Sequence, residues 1–322
     1  MVTKRFFETA ELLIYDPVAA NRNATRASLH SLGFRKVEAA PSIEVLSQWL
    51  RADPPDLLLA EISGGEQEIC PLIQSVRRGE LGDNPFIVIL ATTWRRDGSI
   101  ITQAVNSGAD DLIARPVSTS VLGERIRLLT DRRKGFVVTT DYIGPDRRRA
   151  ARPGDAHTMD APNPLKLRAL ELATDEEIGR KIFETAATGK EKLHLEKLRR
   201  DAVQLCLQWR MLEQRSPAAK DFGEIIVRMA RLASEMKGRA VQVRRDSASE
   251  WCDIVVQSVE TLIELTGSAA AADKSADCKA PLGLLGNAAL TLGQMFAAAE
   301  VEPARLVELD DLVSRRAARP AA

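Results

Sequence analysis

Pro55-Asp56-Leu57-Leu58-Leu59-Ala60-Glu61 is a short apolar run that stops on a carboxylate. Three further runs early in the chain end on polar residues too. Leu12-Leu13-Ile14-Tyr15 stops at Asp16, Phe86 to Thr92 stops at Thr93, and Leu112-Ile113-Ala114 stops at Arg115-Pro116. Runs of this length, alternating with helical stretches, read as strands of a parallel sheet. Side chains at the carboxyl ends of such strands converge on one crevice, where folds of this class bind ligands. Asp16, Glu61, Thr93 and Arg115 are therefore expected to meet, although they lie far apart in sequence.

These residues, with Asn84-Pro85 and Gly108-Ala109-Asp110-Asp111 ahead of the third and fourth runs, resemble a response-regulator receiver domain. This is the CheY-like phospho-acceptor module of bacterial two-component signalling. The likeness covers residues 8–131. It implies a five-stranded (βα)5 doubly wound parallel sheet, with helices near 20–32, 42–52, 67–78, 97–107 and 118–131. Gly33 sits where the first helix would want its C-terminal glycine.

The chain departs from the family pattern at several positions. Receivers carry two acidic residues after the first strand, an Asp acceptor after the third and a Lys after the fifth. Here the second acid is Pro17, the acceptor is Glu61 and the Lys is Arg115, while the aromatic switch position is Leu112. Mg²⁺ demands near-ideal octahedral oxygen ligation, and Pro17 supplies no carboxylate. Glu61 also sets its oxygens about 1.5 Å further out than an Asp would, and in-line transfer tolerates a misplacement of about 1 Å poorly. A degenerate pseudo-receiver without Mg²⁺ or autophosphorylation is the expectation. Arg115 can clasp a carboxylate with its planar fork, which a Lys cannot. A Glu61–Arg115 pair is therefore expected, with the Thr93 hydroxyl donating to it and holding the crevice in one arrangement.

Length and composition suit two domains rather than one, since the chain has 322 residues of which 45 % are hydrophobic. Forty-five basic residues balance 45 acidic ones, so no global field favours nucleic acid or anionic lipid. Cys70, Cys206, Cys252 and Cys278 are widely spaced and read as small buried thiols in a reducing cytoplasm. No secretory h-region is visible at the N-terminus. Leu282 to Ala299 lacks charged residues, but its glycines and amides fit a buried bundle helix better than a membrane span.

Residues 132–164 read as a basic, proline-containing linker, with seven basic against four acidic residues between 131 and 155. Within it Tyr142-Ile143-Gly144-Pro145-Asp146-Arg147-Arg148 resembles a tail found after some alphaproteobacterial receivers. The competing reading docks Phe136 to Ile143 on the receiver and sends the arginines to an acidic partner or a phosphate. Residues 165–322 read as an all-α bundle. Leu195, Leu198, Ala202, Leu205, Trp209 and Leu212 form one stripe, on a helix of about 25 residues by the helical period. Phe222, Ile225, Ile226, Met229, Leu232 and Met236 form a second. Ser247 with Glu250 reads as a capping box opening a third helix, followed by a Gly- and Ala-rich fourth and a terminal one from Pro303.

Other chemistry finds little support. His194 followed by Lys197 matches half of a histidine-phosphotransfer motif, but Leu198 stands where that motif needs Gly, so a surface histidine is expected. No Gly-x-Ser-x-Gly elbow and no phosphate-cradling glycine loop is present, and Ser63-Gly64-Gly65 reads as the loop beside Glu61. The expected function is protein–protein contact in a two-component phosphorelay pathway, without enzymatic activity. The resemblance implies that residues 97–131, at the family's usual partner face of fourth helix, fifth strand and fifth helix, would carry that contact, including a homodimer. The alternatives are a DNA- or RNA-binding regulator using the helical half and a receiver phosphorylated at a non-standard acceptor. No membrane contact is expected.

Overall fold

The computed structural model describes residues 7–63, 69–139, 141–148, 158–170, 174–267, 277–299 and 301. The chain divides into two compact units, residues 1–190 and 191–322.

The first unit is a parallel sheet with helices on both faces. Its strands β1 (Glu11–Tyr15), β2 (Lys36–Ala40), β3 (Leu57–Glu61), β4 (Val88–Thr93) and β5 (Asp111–Ala114) lie in the order β2-β1-β3-β4-β5. Between and after them run α1 (Ala19–Ser31), α2 (Ile43–Ala52), α3 (Ile69–Arg77), α4 (Gly98–Ser107) and α5 (Thr119–Arg132). Strand side chains alternate between faces, and the buried residues separate accordingly. Leu12, Ile14, Leu57, Leu59, Val88 and Leu90 pack with Leu29, Leu122 and Ile126. Leu13, Tyr15, Leu58, Ala60, Ile89 and Ala91 pack with Leu46, Leu50, Ile73 and Val76 on the other face. Burying each such aliphatic side chain stabilises the fold by about 1.5–3 kcal/mol.

The helix ends follow local chemistry. Ser42, Asp97 and Ser118 accept hydrogen bonds from the backbone of Val45, Ile100 and Val121, which fixes the starts of α2, α4 and α5. Gly33 follows α1 at φ 101° and Gly108 caps α4 at φ 86°, backbone that glycine adopts freely.

The described residues between 132 and 164 do not form the solvated linker expected of them. They hold a three-stranded antiparallel sheet of β6 (Phe136–Val138), β7 (Ile143–Pro145) and β8 (Thr158–Met159). The physical reason is burial. Phe136 and Val138 are fully inside, and Phe136 packs 5.5 Å from Phe86 between centroids. The reading that docks Phe136 to Ile143 on the sheet domain is the one the packing matches. The short helix α6 (Pro164–Leu170) also joins this unit, with Leu165 in the sheet's core and Arg168 bonded to Asp56 at 3.1 Å.

The second unit takes the remainder of α7 (Asp175–Glu213), then α8 (Phe222–Gln242), α9 (Asp246–Gly267) and α10 (Lys279–Ala297). The expected boundary at residue 165 thus lies well before the observed division, which falls within α7. That helix has 39 residues rather than about 25, because its more polar first half continues it on a sparser buried stripe that includes Ile178, Ala186 and Leu193. Apart from Leu195, which lies outside it, the two stripes form the bundle core, with Trp209 packed against it, together with Val255, Val259, Leu262, Leu285, Ala289 and Leu292. Asp246 is already helical, so Ser247 lies inside the first turn and not at the cap. The helix expected from Pro303 lies outside the described residues. Cys206, Cys252 and Cys278 are buried and Cys70 is half-buried. Among the described residues, no helix is long and apolar enough to cross a membrane.

Candidate functional site

The carboxyl ends of β1, β3, β4 and β5 bring Asp16, Glu61, Thr92, Thr93 and Arg115 together, all buried. Glu61 is 1 % exposed. Its Oε1 accepts from the Ser63 backbone N–H at 3.0 Å and from the Ser63 hydroxyl at 2.5 Å. Its Oε2 accepts from the Thr92 hydroxyl at 2.9 Å and from Arg115 Nε at 3.1 Å. Both oxygens therefore each have two donors. Charge-assisted bonds of this kind are about twice as strong as neutral ones.

Arg115 spans the crevice. Its Nε lies 3.2 Å from Thr92 Oγ1, its Nη2 donates to Thr25 Oγ1 at 3.2 Å, and Nη2 also sits 3.7 Å from Asp16 Oδ2. Asp16 Oδ1 accepts from the Val18 backbone N–H at 2.9 Å and from Asn21 at 3.3 Å, and no hydrogen bond reaches its buried Oδ2. One guanidinium thus lies between two carboxylates. The bond from Arg115 to Pro116 is cis, Pro17 sits half-buried beside Asp16, and Leu112 packs against the sheet face shared with α2 and α3.

The Glu61–Arg115 pair forms as the planar fork of arginine suggests. The hydroxyl partner differs from expectation. Thr92 is the register partner of Glu61 on the adjacent strand, so the two side chains project from the same face. Thr93, one residue on, turns the other way and its hydroxyl bonds the Arg95 backbone in both directions at 3.0 Å. The sequence places Ser63 only in the loop beside Glu61, with no bonding role, and does not mark Thr25. A serine two residues after an acid is a local turn signal that could have identified Ser63. Nothing local marks Thr25, which reaches the site from α1.

A hard divalent cation does not fit these residues. Glu61 is occupied by four donors, Asp16 faces a guanidinium, Pro17 has no carboxylate, and no group of three metal-ligating side chains occurs among the described residues.

At the opposite end of β5, Asp110 is clasped by two arginines. Arg77 Nη2 donates at 2.8 Å, and Arg133 Nε and Nη2 donate at 2.8 and 3.0 Å. Burial pushes the Asp110 carboxyl up, but Arg133 and Arg77 outweigh it and hold the group below its usual range. Burial lowers Arg77 to about 10, opposed by Asp110. The same two guanidiniums lie over Phe136, at 5.1 and 5.0 Å from its ring centre. The tail residues complete a clasp. Arg147 donates to the Ala109 carbonyl at 2.5 Å and Tyr142 to the Pro145 carbonyl at 3.0 Å. Arg148 pairs with Asp146 at 2.8 Å, and Gly144 lies so close to Gly108 that a Cβ would stand 2.8 Å from its Cα. Of the described tail arginines, Arg147 thus reaches a backbone carbonyl of the sheet domain while staying largely exposed, and Arg148 is held by Asp146.

His194 is not at the surface. It is 3 % exposed, with Nδ1 lying 3.3 Å from Arg239 Nη1. Lys197, three residues on, pairs with fully buried Asp201. Burial raises Asp201 to about 6, against Lys197 and Arg239.

Strand order and register define the first unit as a doubly wound, receiver-like α/β fold, followed by an all-helical region. Neither a protein-family model nor a curated protein sequence matches the chain. Among solved structures, it is similar to the signal receiver domain of a modulated diguanylate cyclase from Desulfovibrio desulfuricans G20. The identity is 20 %, over 37 % of this chain and 91 % of that one, with a TM-score of 0.33. The chemotaxis protein CheY4 of Vibrio cholerae is similar at 19 % identity, over 37 % and 96 %, with a TM-score of 0.33. The receiver domain of a response regulator from Bermanella marisrubri is similar at 24 %, over 38 % and 98 %, with a TM-score of 0.34. Likenesses at such identities concern fold alone.

Proposed function

We propose that this chain is a response-regulator-like signalling protein of a two-component pathway whose receiver-like unit works by protein–protein contact, without phosphorylation of its own. One observation carries the reading: both oxygens of Glu61, at the acceptor position, are filled by hydrogen-bond donors in a buried site. An acyl phosphate at that carboxylate would have to displace these donors and would find no second first-loop acid to help hold a cation. The permanent charge of Glu61, clasped by Arg115, keeps the crevice in one arrangement. The contact surface in this reading is the α4–β5–α5 face, residues 97–131. Ile101 on α4 and Val121 and Leu128 on α5 are large apolar side chains left exposed there. The helical unit acts as a second interaction module, not as an enzyme.

The test is to add acetyl phosphate or beryllofluoride with Mg²⁺ to the full chain and look for an adduct by intact-mass and by Trp94 fluorescence. No adduct and no spectral change are expected. A stoichiometric adduct mapped to Glu61 would overturn the reading.

A further inference from the structure

The helical unit carries a surface that the packing of its described residues leaves open. Helices α7 and α10 run in opposite directions. Trp209 packs on Gly286, where a Cβ would stand 2.3 Å from its ring, and Cys206 Sγ donates to the Ala289 carbonyl at 3.3 Å. Further along the same pair, the two helices and the α8–α9 corner enclose an open groove of about 560 Å³. Its apolar part is Leu195, Met295 and Phe296, and its rim is Lys192, Arg199 and Arg245.

Two features distinguish this groove from an ordinary surface dent. The first is charge. Glu196 is the acid lining it, and its carboxylate is already bonded to Arg199 at 2.8 Å and to Arg200 at 3.1 Å. Among the described residues, the exposed cations Lys192 and Arg245 are left with no acid of the groove to answer them. The second is the outer face of α10. No charged residue occurs between Lys279 and Glu300. Leu284, Asn287 and Met295 nevertheless stand exposed on that helix at helical spacing, and Met295 lies in the groove itself. A charge-free helix face running into a cationic rim is the shape and polarity that receive an amphipathic helix with acidic residues beside its apolar stripe. An acyl chain would demand an enclosed slot, and this groove is open.

We propose that the groove between α7 and α10 docks an acidic amphipathic helix of a partner protein. Apolar anchors seat on Leu195, Met295 and Phe296, and carboxylates meet Lys192 and Arg245. This surface belongs to the helical unit alone and does not depend on the reading of Glu61.

The full chain is titrated with a fluorescein-labelled synthetic peptide of about five helical turns, with Leu at three- and four-residue spacing and Glu elsewhere. A counterpart with Lys in place of Glu, and oleate, serve as the other probes. Lys192→Glu, Arg245→Glu and Met295→Asp change exposed side chains, and circular dichroism checks that each variant keeps its helix content. The acidic peptide is expected to bind and its Lys counterpart not. Each substitution should weaken binding by about tenfold, and added salt should weaken it further. Failure of the acidic peptide to bind, equal binding of both peptides, or indifference to all three substitutions would overturn the proposal. So would oleate binding where the peptide does not, or a dimer in sedimentation that Met295→Asp dissolves, since each assigns the groove to another occupant.

Discussion

Glu61 and Thr92 are register partners on neighbouring parallel strands, and the Thr92 hydroxyl donates to Glu61 Oε2 at 2.9 Å. The neighbouring threonine, with the same chemistry, serves the loop instead. Thr92→Val keeps the shape and leaves Glu61 with one donor fewer, so it should cost about 1.5–3 kcal/mol, as expected for a hydrogen bond to a charged group. Thr93→Val should cost about 0.5–1.5 kcal/mol, the value of a neutral one. Urea midpoints for the two variants check the order.

Arg115 contacts Glu61, Thr92, Thr25 and Asp16 with one planar group. Arg115→Lys keeps the charge but offers a single donor point, and should lower stability by about 1–3 kcal/mol. Arg115→Ala leaves two buried carboxylates facing each other, and should cost about 3–5 kcal/mol. A thermal melt in which Lys and Ala at this position are indistinguishable would show that geometry, and not charge, carries the network.

Asp110 has its carboxyl held low in the folded state by Arg133 and Arg77 against the opposing effect of burial. A group depressed on folding contributes stability that is present above its unfolded value and is lost as pH falls through the folded one. Asp110→Asn should therefore be strongly destabilising at pH 7, and the gap to the parent chain should narrow below about pH 4. Denaturant midpoints across that range read it directly. A constant gap would mean the arginines act by packing on Phe136 alone.

Gly144 lies against Gly108 and Tyr142, where a Cβ would stand 2.8 and 2.6 Å from their atoms. Gly144→Ala should loosen the β6–β7 clasp without disturbing the parallel sheet. Limited proteolysis is expected to cut between residues 132 and 164 faster than in the parent chain. Phe136→Ala removes the buried ring that both guanidiniums contact and should cost about 3–5 kcal/mol.

Asp201 is raised to about 6 by burial, with Lys197 and Arg239 opposing. The sign is opposite to that of Asp110. Its charged form weakens the fold, so this group's contribution improves as pH falls from above 6 toward its unfolded value. The parent chain should therefore gain stability relative to Asp201→Asn over the range from about pH 7 to about pH 4, measured by helical signal in urea.

The sequence by itself determined the parallel sheet, its five strands and helices, and the meeting of Asp16, Glu61 and Arg115. Each depends on local periodicity and on the rule that strand ends converge. It also marked the stripes of the helical bundle. Tertiary structure alone decided which of two adjacent threonines serves Glu61, because strand register, not composition, sets which side chain shares a face with its neighbour. Likewise, a stretch as basic and proline-rich as residues 132–164 reads as a linker until Phe136 is seen buried and its flanking arginine paired with Asp110. The burial of His194 follows the same logic. Charge and hydrogen bonding inside a core depend on partners distant along the chain, and the one-dimensional pattern carries no record of them.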